Sequence, residues 1–289
     1  MKKSLFTFTI LAVIPNFANA AAPTRPQANV IYGEDNRADL YQSDSHWATL
    51  AHSTVALVKA SDLKQLPNND IEFVLDKYSE QYRLCSSERF FEQETLAFCS
   101  GSLVGQNLIL TAGHCINENS CSSTRFVFDF AIFSEGVLPK STIKNKIYSC
   151  KKIVSHSYTK TLDYALVELD RNVTDRAPLS ISRNPTKVNE NMTVIGHPSG
   201  LPTKVSGGAN VRSVLADYYT ANLDTYGGNS GSAVINKNGQ VTGVLVRGEQ
   251  DYVYDGANKC YKSHVCTDEG CMGEEVTRAD VIADKIPLL

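Results

Sequence analysis

The chain has 289 residues, with 28 Lys plus Arg against 31 Asp plus Glu and a net charge of −3. So small an acidic excess argues against a nucleic acid or an anionic membrane as partner. A hydrophobic content of 42% supports a real core, and the length fits one large all-β domain or two smaller units.

Taken in chain order, the first residues read as a targeting signal. Lys2 and Lys3 supply a positive start, Leu5 to Phe17 is a short apolar run, and Ala18-Asn19-Ala20 gives the small-x-small pattern of a signal peptidase site. Residues 1–20 are expected to be a signal peptide, with cleavage after Ala20, or after Ala21 or Ala22. The run is too short to span a bilayer comfortably. Residues 21–29, Ala, Pro and polar, suit a pro-segment or an N-terminal arm. The mature protein is expected to be secreted, extracellular or periplasmic if the source has an outer membrane.

From about Thr49 the pattern becomes short apolar runs broken by turn residues: Thr54–Val58, Leu103–Leu110, Tyr164–Leu169, Met192–Ile195 and Ala233–Ile235. Each is strand-sized and carries recurring Val, Ile or Tyr. Asn238-Gly239, between Ala233–Ile235 and Val241–Val246, predicts a type I′ hairpin. Helical spacing is scarce until Val281, Ile282 and Ile286, which predict a helix within 276–286. Many short strands and few helices point to an all-β barrel or sandwich.

All eight cysteines, Cys85, Cys99, Cys115, Cys121, Cys150, Cys260, Cys266 and Cys271, follow the signal. An even number in an exported chain reads as disulfides. Cys260, His264, Cys266 and Cys271 have zinc-ligand chemistry as an alternative, which an oxidising compartment disfavours.

Three segments carry chemistry. An apolar strand, Leu108 to Thr111, runs into Ala112-Gly113-His114-Cys115. Asp163 stands at the mouth of the apolar run Tyr164–Leu169. A glycine-rich loop, Asp224-Thr225-Tyr226-Gly227-Gly228-Asn229-Ser230-Gly231-Ser232, leads into a strand. A serine hydroxyl is a poor nucleophile until a base takes its proton, which an imidazole does near neutral pH. A carboxylate on the far ring nitrogen fixes the tautomer and stabilises the imidazolium. Glycines beside the serine leave backbone N–H groups free to meet an oxyanion.

Thr111-Ala112-Gly113-His114-Cys115 resembles the histidine motif of chymotrypsin-like serine peptidases. Gly228-Asn229-Ser230-Gly231-Ser232 resembles the serine motif of their bacterial branch, which includes the glutamyl endopeptidases, and Asp163-Tyr164-Ala165-Leu166 resembles the aspartate motif. The chain order His, Asp, Ser agrees, and the resemblance spans about residues 54–248. It implies two antiparallel six-stranded β-barrels with the site in the cleft between them and a short C-terminal helix. On this reading residues 30–289 form the peptidase domain: a first barrel over about 48–170, a second over about 175–255, and a disulfide-tied tail over 256–289. The resemblance implies His114, Asp163 and Ser230 as the triad, the Gly228 and Ser230 amides as the oxyanion hole, and a Cys99–Cys115 disulfide. It needs no metal or organic cofactor. The partner is a protein or peptide substrate, and the protein is expected to be a monomer. Cys121–Cys150 is expected to staple the insertion between His114 and Asp163. If all eight cysteines pair, Cys85 reaches one of Cys260, Cys266 and Cys271.

The sequence also departs from its relatives. No Ile-Val-Gly-Gly start is present, and Asn229 stands where trypsin-like zymogens carry the aspartate that receives the new amine. Val30-Ile31-Tyr32-Gly33 with Asn36-Arg37 instead resembles the mature start of glutamyl endopeptidases, which places a second cleavage near Asn29/Val30. Expected substrate contacts are Asp224, Thr225, Leu245, Val246, Arg247 and Gly248, with residues 246–248 as the edge that pairs with the substrate backbone. Asp224, six residues before Ser230, resembles the aspartate by which trypsin-like enzymes bind Arg or Lys, which implies a basic side chain before the scissile bond. Thr225 resembles the threonine of enzymes selecting acidic residues, but Leu245 replaces their histidine. Arg247 is expected to reach Asp224 or an acidic substrate residue. His197 is expected on a turn, and the lone Trp47 in the packing of the first barrel. An esterase or lipase is disfavoured because it needs Gly-x-Ser-x-Gly and the order Ser, acid, His. A binding protein on an inactive scaffold is disfavoured because no triad residue is missing.

Overall fold

The computed structural model describes residues 30–288; the expected signal peptide and residues 21–29 lie outside them. The first barrel is built from β2 (Thr54–Lys59), β3 (Cys99–Gly105), β4 (Leu108–Thr111), β5 (Thr124–Phe128), β6 (Ile147–Tyr158) and β7 (Asp163–Leu169), after a short β1 (Arg37–Asp39). It closes in the order β5-β6-β7-β4-β3-β2, with every pair antiparallel. Strand periodicity explains the two faces. Val55 and Leu57 of β2 turn inward with Leu103, Ile109, Phe126 and Val167, whereas Ala56 and Val58 pack outward against Phe73 and Phe130.

The second barrel comprises β8 (Asn191–Gly196), β9 (Lys204–Val214), β10 (Tyr218–Ala221), β11 (Ala233–Asn236), β12 (Val241–Arg247) and β13 (Glu274–Arg278). The order is β8-β11-β12-β13-β10-β9, closed by β8 on β9, and β1 adds a seventh strand to the outside of β9. Met192, Val194, Tyr219, Val234, Leu245 and Val276 fill it. Its outer face, Ile195, Val205, Ala233 and Ile235, is covered by α1 (Ser45–Ala51), so Trp47 packs on the second barrel and not the first.

Three local expectations are corrected. Leu103–Leu110 is not one strand; it turns at Gln106-Asn107 so that β3 and β4 form a hairpin. The 237–239 turn is not type I′. Gly239 alone has positive φ, at 75°, and the Asn236 side chain accepts the Asn238 and Gln240 amides, as suits a longer loop with one left-handed residue. The expected short C-terminal helix is present as α2 (Ala279–Ile282), followed by a single turn. Val276 and Thr277, β-branched and paired on both sides with β12 and β10, stay extended. This last strand lies within the stretch expected to be a tail and completes the second barrel.

Four disulfides are present: Cys85–Cys260, Cys99–Cys115, Cys121–Cys150 and Cys266–Cys271. Cys85–Cys260 ties the loop ahead of β3 to the excursion between β12 and β13. The sulfurs grouped with His264, those of Cys266 and Cys271, are joined to each other.

Candidate active site

His114 follows β4 on a single 3-10 turn (Gly113–Cys115), which Cys115 anchors to Cys99 of β3. Asp163 is the first residue of β7, the neighbour of β4, and is 1% exposed. Its Oδ2 lies 2.8 Å from His114 Nδ1. Its Oδ1 accepts the Gly113 amide at 2.7 Å and the His114 amide at 3.2 Å. Such donors offset the hydration that a buried carboxylate loses. Thr277 Oγ1, from the second barrel, donates to the Asp163 carbonyl at 2.8 Å. Three groups without a motif complete this side. His156 on β6 donates from Nε2 to the Gly113 carbonyl at 2.8 Å, Tyr158 sets its ring 5.8 Å from that of His114, and Arg247 reaches across from β12.

Ser230 lies in the loop before β11 and is 5% exposed. Its loop is pressed onto the first barrel. Gly231 has φ +91°, and a Cβ there would fall 2.0 Å from the Ser100 carbonyl oxygen and 2.3 Å from Thr111 Oγ1. Only glycine allows that approach, and it sets Ser230 beside the turn that carries His114. Ser100 donates its hydroxyl to the Gly228 carbonyl and its amide to the Ser230 carbonyl, both at 2.8 Å. Gly228, also at φ +91°, leaves no room for a Cβ against the His197 carbonyl, 2.6 Å away. Ser199 donates its amide to the Gly227 carbonyl. The Gly228 and Ser230 amides have no acceptor among the described residues. His114 Nε2 is shut from solvent and makes no hydrogen bond there either.

His197 sits on a turn as expected, but buried under this loop. It donates from Nδ1 to the Leu201 carbonyl at 3.0 Å, and burial pushes its pKa down to about 4. Asn229 donates its amide to the Tyr226 carbonyl and accepts from Ser232 through its side chain.

The expected substrate contacts divide. Asp224 is held by the segment at 32–36. Its two oxygens accept the Tyr32 and Asn36 amides at 2.7 and 2.9 Å, and burial raises its pKa to about 6. Leu245 belongs to the second-barrel core, and Val246 packs into the first-barrel cluster. Arg247 does not reach Asp224. Its guanidinium lies 2.9 Å from Glu275 and 3.4 Å from Asp163 Oδ2, and donates to the Lys160 and Thr159 carbonyls. After Leu245 no described strand pairs with the β11-facing side of this chain, so residues 246–248 form an open edge. Thr225 Oγ1 donates at 2.8 Å to Glu274, a residue that no motif singles out.

Residues 99–244, about half of the chain, match the trypsin-like peptidase domain family. The chain belongs to that family. This trypsin-like chain is 26% identical over 188 residues to a glutamyl endopeptidase of Staphylococcus aureus, covering 62% of the chain and 51% of that protein. It is 29% identical over 175 residues to the glutamyl endopeptidase of Staphylococcus epidermidis, covering 57% of each. The chain thus spans about half the length of these relatives. A solved Glu endopeptidase shares the fold at TM-score 0.51 and 16% identity, covering 89% of this chain and 99% of that one.

Proposed function

We propose that this trypsin-like chain is an exported serine endopeptidase in which Ser230 is the nucleophile, His114 its base and Asp163 the orienting acid. The observation that carries the reading is the held His114–Asp163 pair, with the Ser230 loop pressed against the strand and turn that carry His114 and two unbonded amides beside the serine. His114 Nε2 takes the Ser230 proton as Oγ bonds to the substrate carbonyl carbon. The carbonyl oxygen becomes an oxyanion that accepts from the Gly228 and Ser230 amides. Collapse breaks the C–N bond, and the imidazolium returns the proton to the departing amine. Water, deprotonated by the same nitrogen, then releases the acyl group.

A protein or peptide is the substrate on this reading, its backbone lying along the open edge at 246–248. Four disulfides in one chain suit an oxidising, extracellular or periplasmic setting. Among the described residues no helix is long and apolar enough to cross a membrane. Casein digestion set against short-ester hydrolysis tests the reading. Wild type should digest casein and Ser230→Ala should not; hydrolysis of esters alone would refute it.

A further inference from the structure

Glu274, the first residue of β13, is fully buried. Its Oε2 accepts from Thr225 Oγ1 at 2.8 Å, and its Oε1 lies 3.4 Å from the Glu249 amide. A Cβ on Gly248 would fall 1.9 Å from Oε2, so the carboxylate lies directly against the open edge of β12. Three walls therefore meet at this group: the loop that carries Ser230, the edge at 247–249, and the start of β13. Thr225 lies five residues before Ser230, and the edge is the one assigned above to the substrate backbone.

The chemistry of that space is one-sided. No Lys, Arg or His among the described residues forms an ion pair with Glu274, and its hydrogen bonds come from neutral donors. Its acidic neighbours, Glu249 and Asp251, add only negative charge when ionised, and burial, with them as a lesser cause, pushes the carboxyl well above its ordinary range. A buried carboxylate without a counter-ion is unfavourable, and a cation brought to it removes that deficit. An acidic side chain entering the same place adds a like charge at low dielectric. Asp224 is the more fully engaged of the two, accepting backbone amides at 2.7 and 2.9 Å, whereas Glu274 has one bond of 2.8 Å and one of 3.4 Å.

We propose that Glu274 selects lysine or arginine immediately before the scissile bond, the guanidinium or ammonium meeting its carboxylate beside Thr225. This rests on the endopeptidase reading. The relatives named glutamyl endopeptidases therefore share this chain's fold but not its preference.

The test uses matched peptides that differ only at that residue. Wild type should give kcat/KM about 100-fold higher for Arg or Lys than for Leu, the range expected of a buried charge pair, with Glu poorest. Glu274→Gln should bring the Arg-to-Leu ratio close to one. A wild type that prefers Glu or ignores charge overturns the proposal, as does a Gln variant that keeps the ratio. If the Gln variant does not fold, the wild-type ratio decides alone. A second arm needs no chemistry: calorimetry of benzamidine binding to Ser230→Ala, with and without Glu274→Gln. Binding that depends on Glu274, together with a wild type that cleaves no peptide, sustains the pocket and overturns the endopeptidase reading. Peptide cleavage with neither benzamidine binding nor basic preference overturns the pocket and leaves that reading intact.

Discussion

Replacing Asp163 by Asn changes one atom and isolates the role of the carboxylate. Four donors converge on it: the Gly113 and His114 amides at Oδ1, and His114 Nδ1 and Arg247 at Oδ2. An Asn side chain has one acceptor oxygen, and the two amides can meet only that oxygen. Its NH2 group then occupies the Oδ2 position and faces His114 Nδ1 and the guanidinium. Nδ1 is turned into an acceptor, so the neutral ring carries its proton on Nε2. That nitrogen can no longer take the Ser230 proton. In a triad of this kind the wrong tautomer lowers kcat about 10⁴-fold, or about 5 kcal/mol at about 1.4 kcal/mol per tenfold. Steady-state kinetics on a peptide substrate measure the loss, and thermal unfolding shows whether the fold is kept. A folded Asp163→Asn enzyme with kcat within tenfold of wild type would refute the reasoning.

Two further outcomes follow from the neighbouring side chains. Arg247 touches Asp163, the proposed orienting acid, and not Asp224, so Arg247→Met should lower kcat about five-fold with KM little changed, in keeping with one partly exposed charge-assisted bond. A large rise in KM at unchanged kcat would return Arg247 to substrate binding. His197 is held neutral with its pKa at about 4, against about 6.5 in the unfolded chain. The unfolded chain therefore takes up this proton at higher pH. The contribution of His197 to stability is complete above about pH 6.5 and is lost as pH falls towards 4, by about 3 kcal/mol in total. Urea unfolding at pH 7 and pH 4 reads it. His197→Gln should flatten that part of the pH dependence, and an unchanged slope would contradict the assignment.

The residues legible in the sequence are those whose chemistry demands a local signature. Gly231 must be glycine because of its approach to Ser100 and Thr111, and Gly228 because of the His197 carbonyl. His114, Asp163 and Ser230 each adjoin an apolar strand whose period is visible in the residues alone. What was hidden depends on contacts between distant segments. Glu274 meets Thr225 only after a hairpin at 252–263 and two disulfides have intervened, and nothing around it forms a motif. Asp224 reads as a pocket residue by spacing, yet the N-terminal strand claims both its oxygens, a contact 192 positions away in the chain. The helical spacing of Val281, Ile282 and Ile286 is real, but pairing on both sides holds Val276 and Thr277 extended. Trp47 is carried to the second barrel because α1 lies on the outer face of β8 and β11, which local hydrophobicity does not reveal.

The central claim is that Ser230, activated by His114, is the nucleophile. Its most direct test is intact-mass and peptide mapping of the folded, mature protein after a fluorophosphonate probe. The account predicts one label per chain, placed on Ser230, lost in Ser230→Ala and strongly slowed in His114→Ala. A folded wild type that takes up no label, or a label that persists in Ser230→Ala, would contradict it.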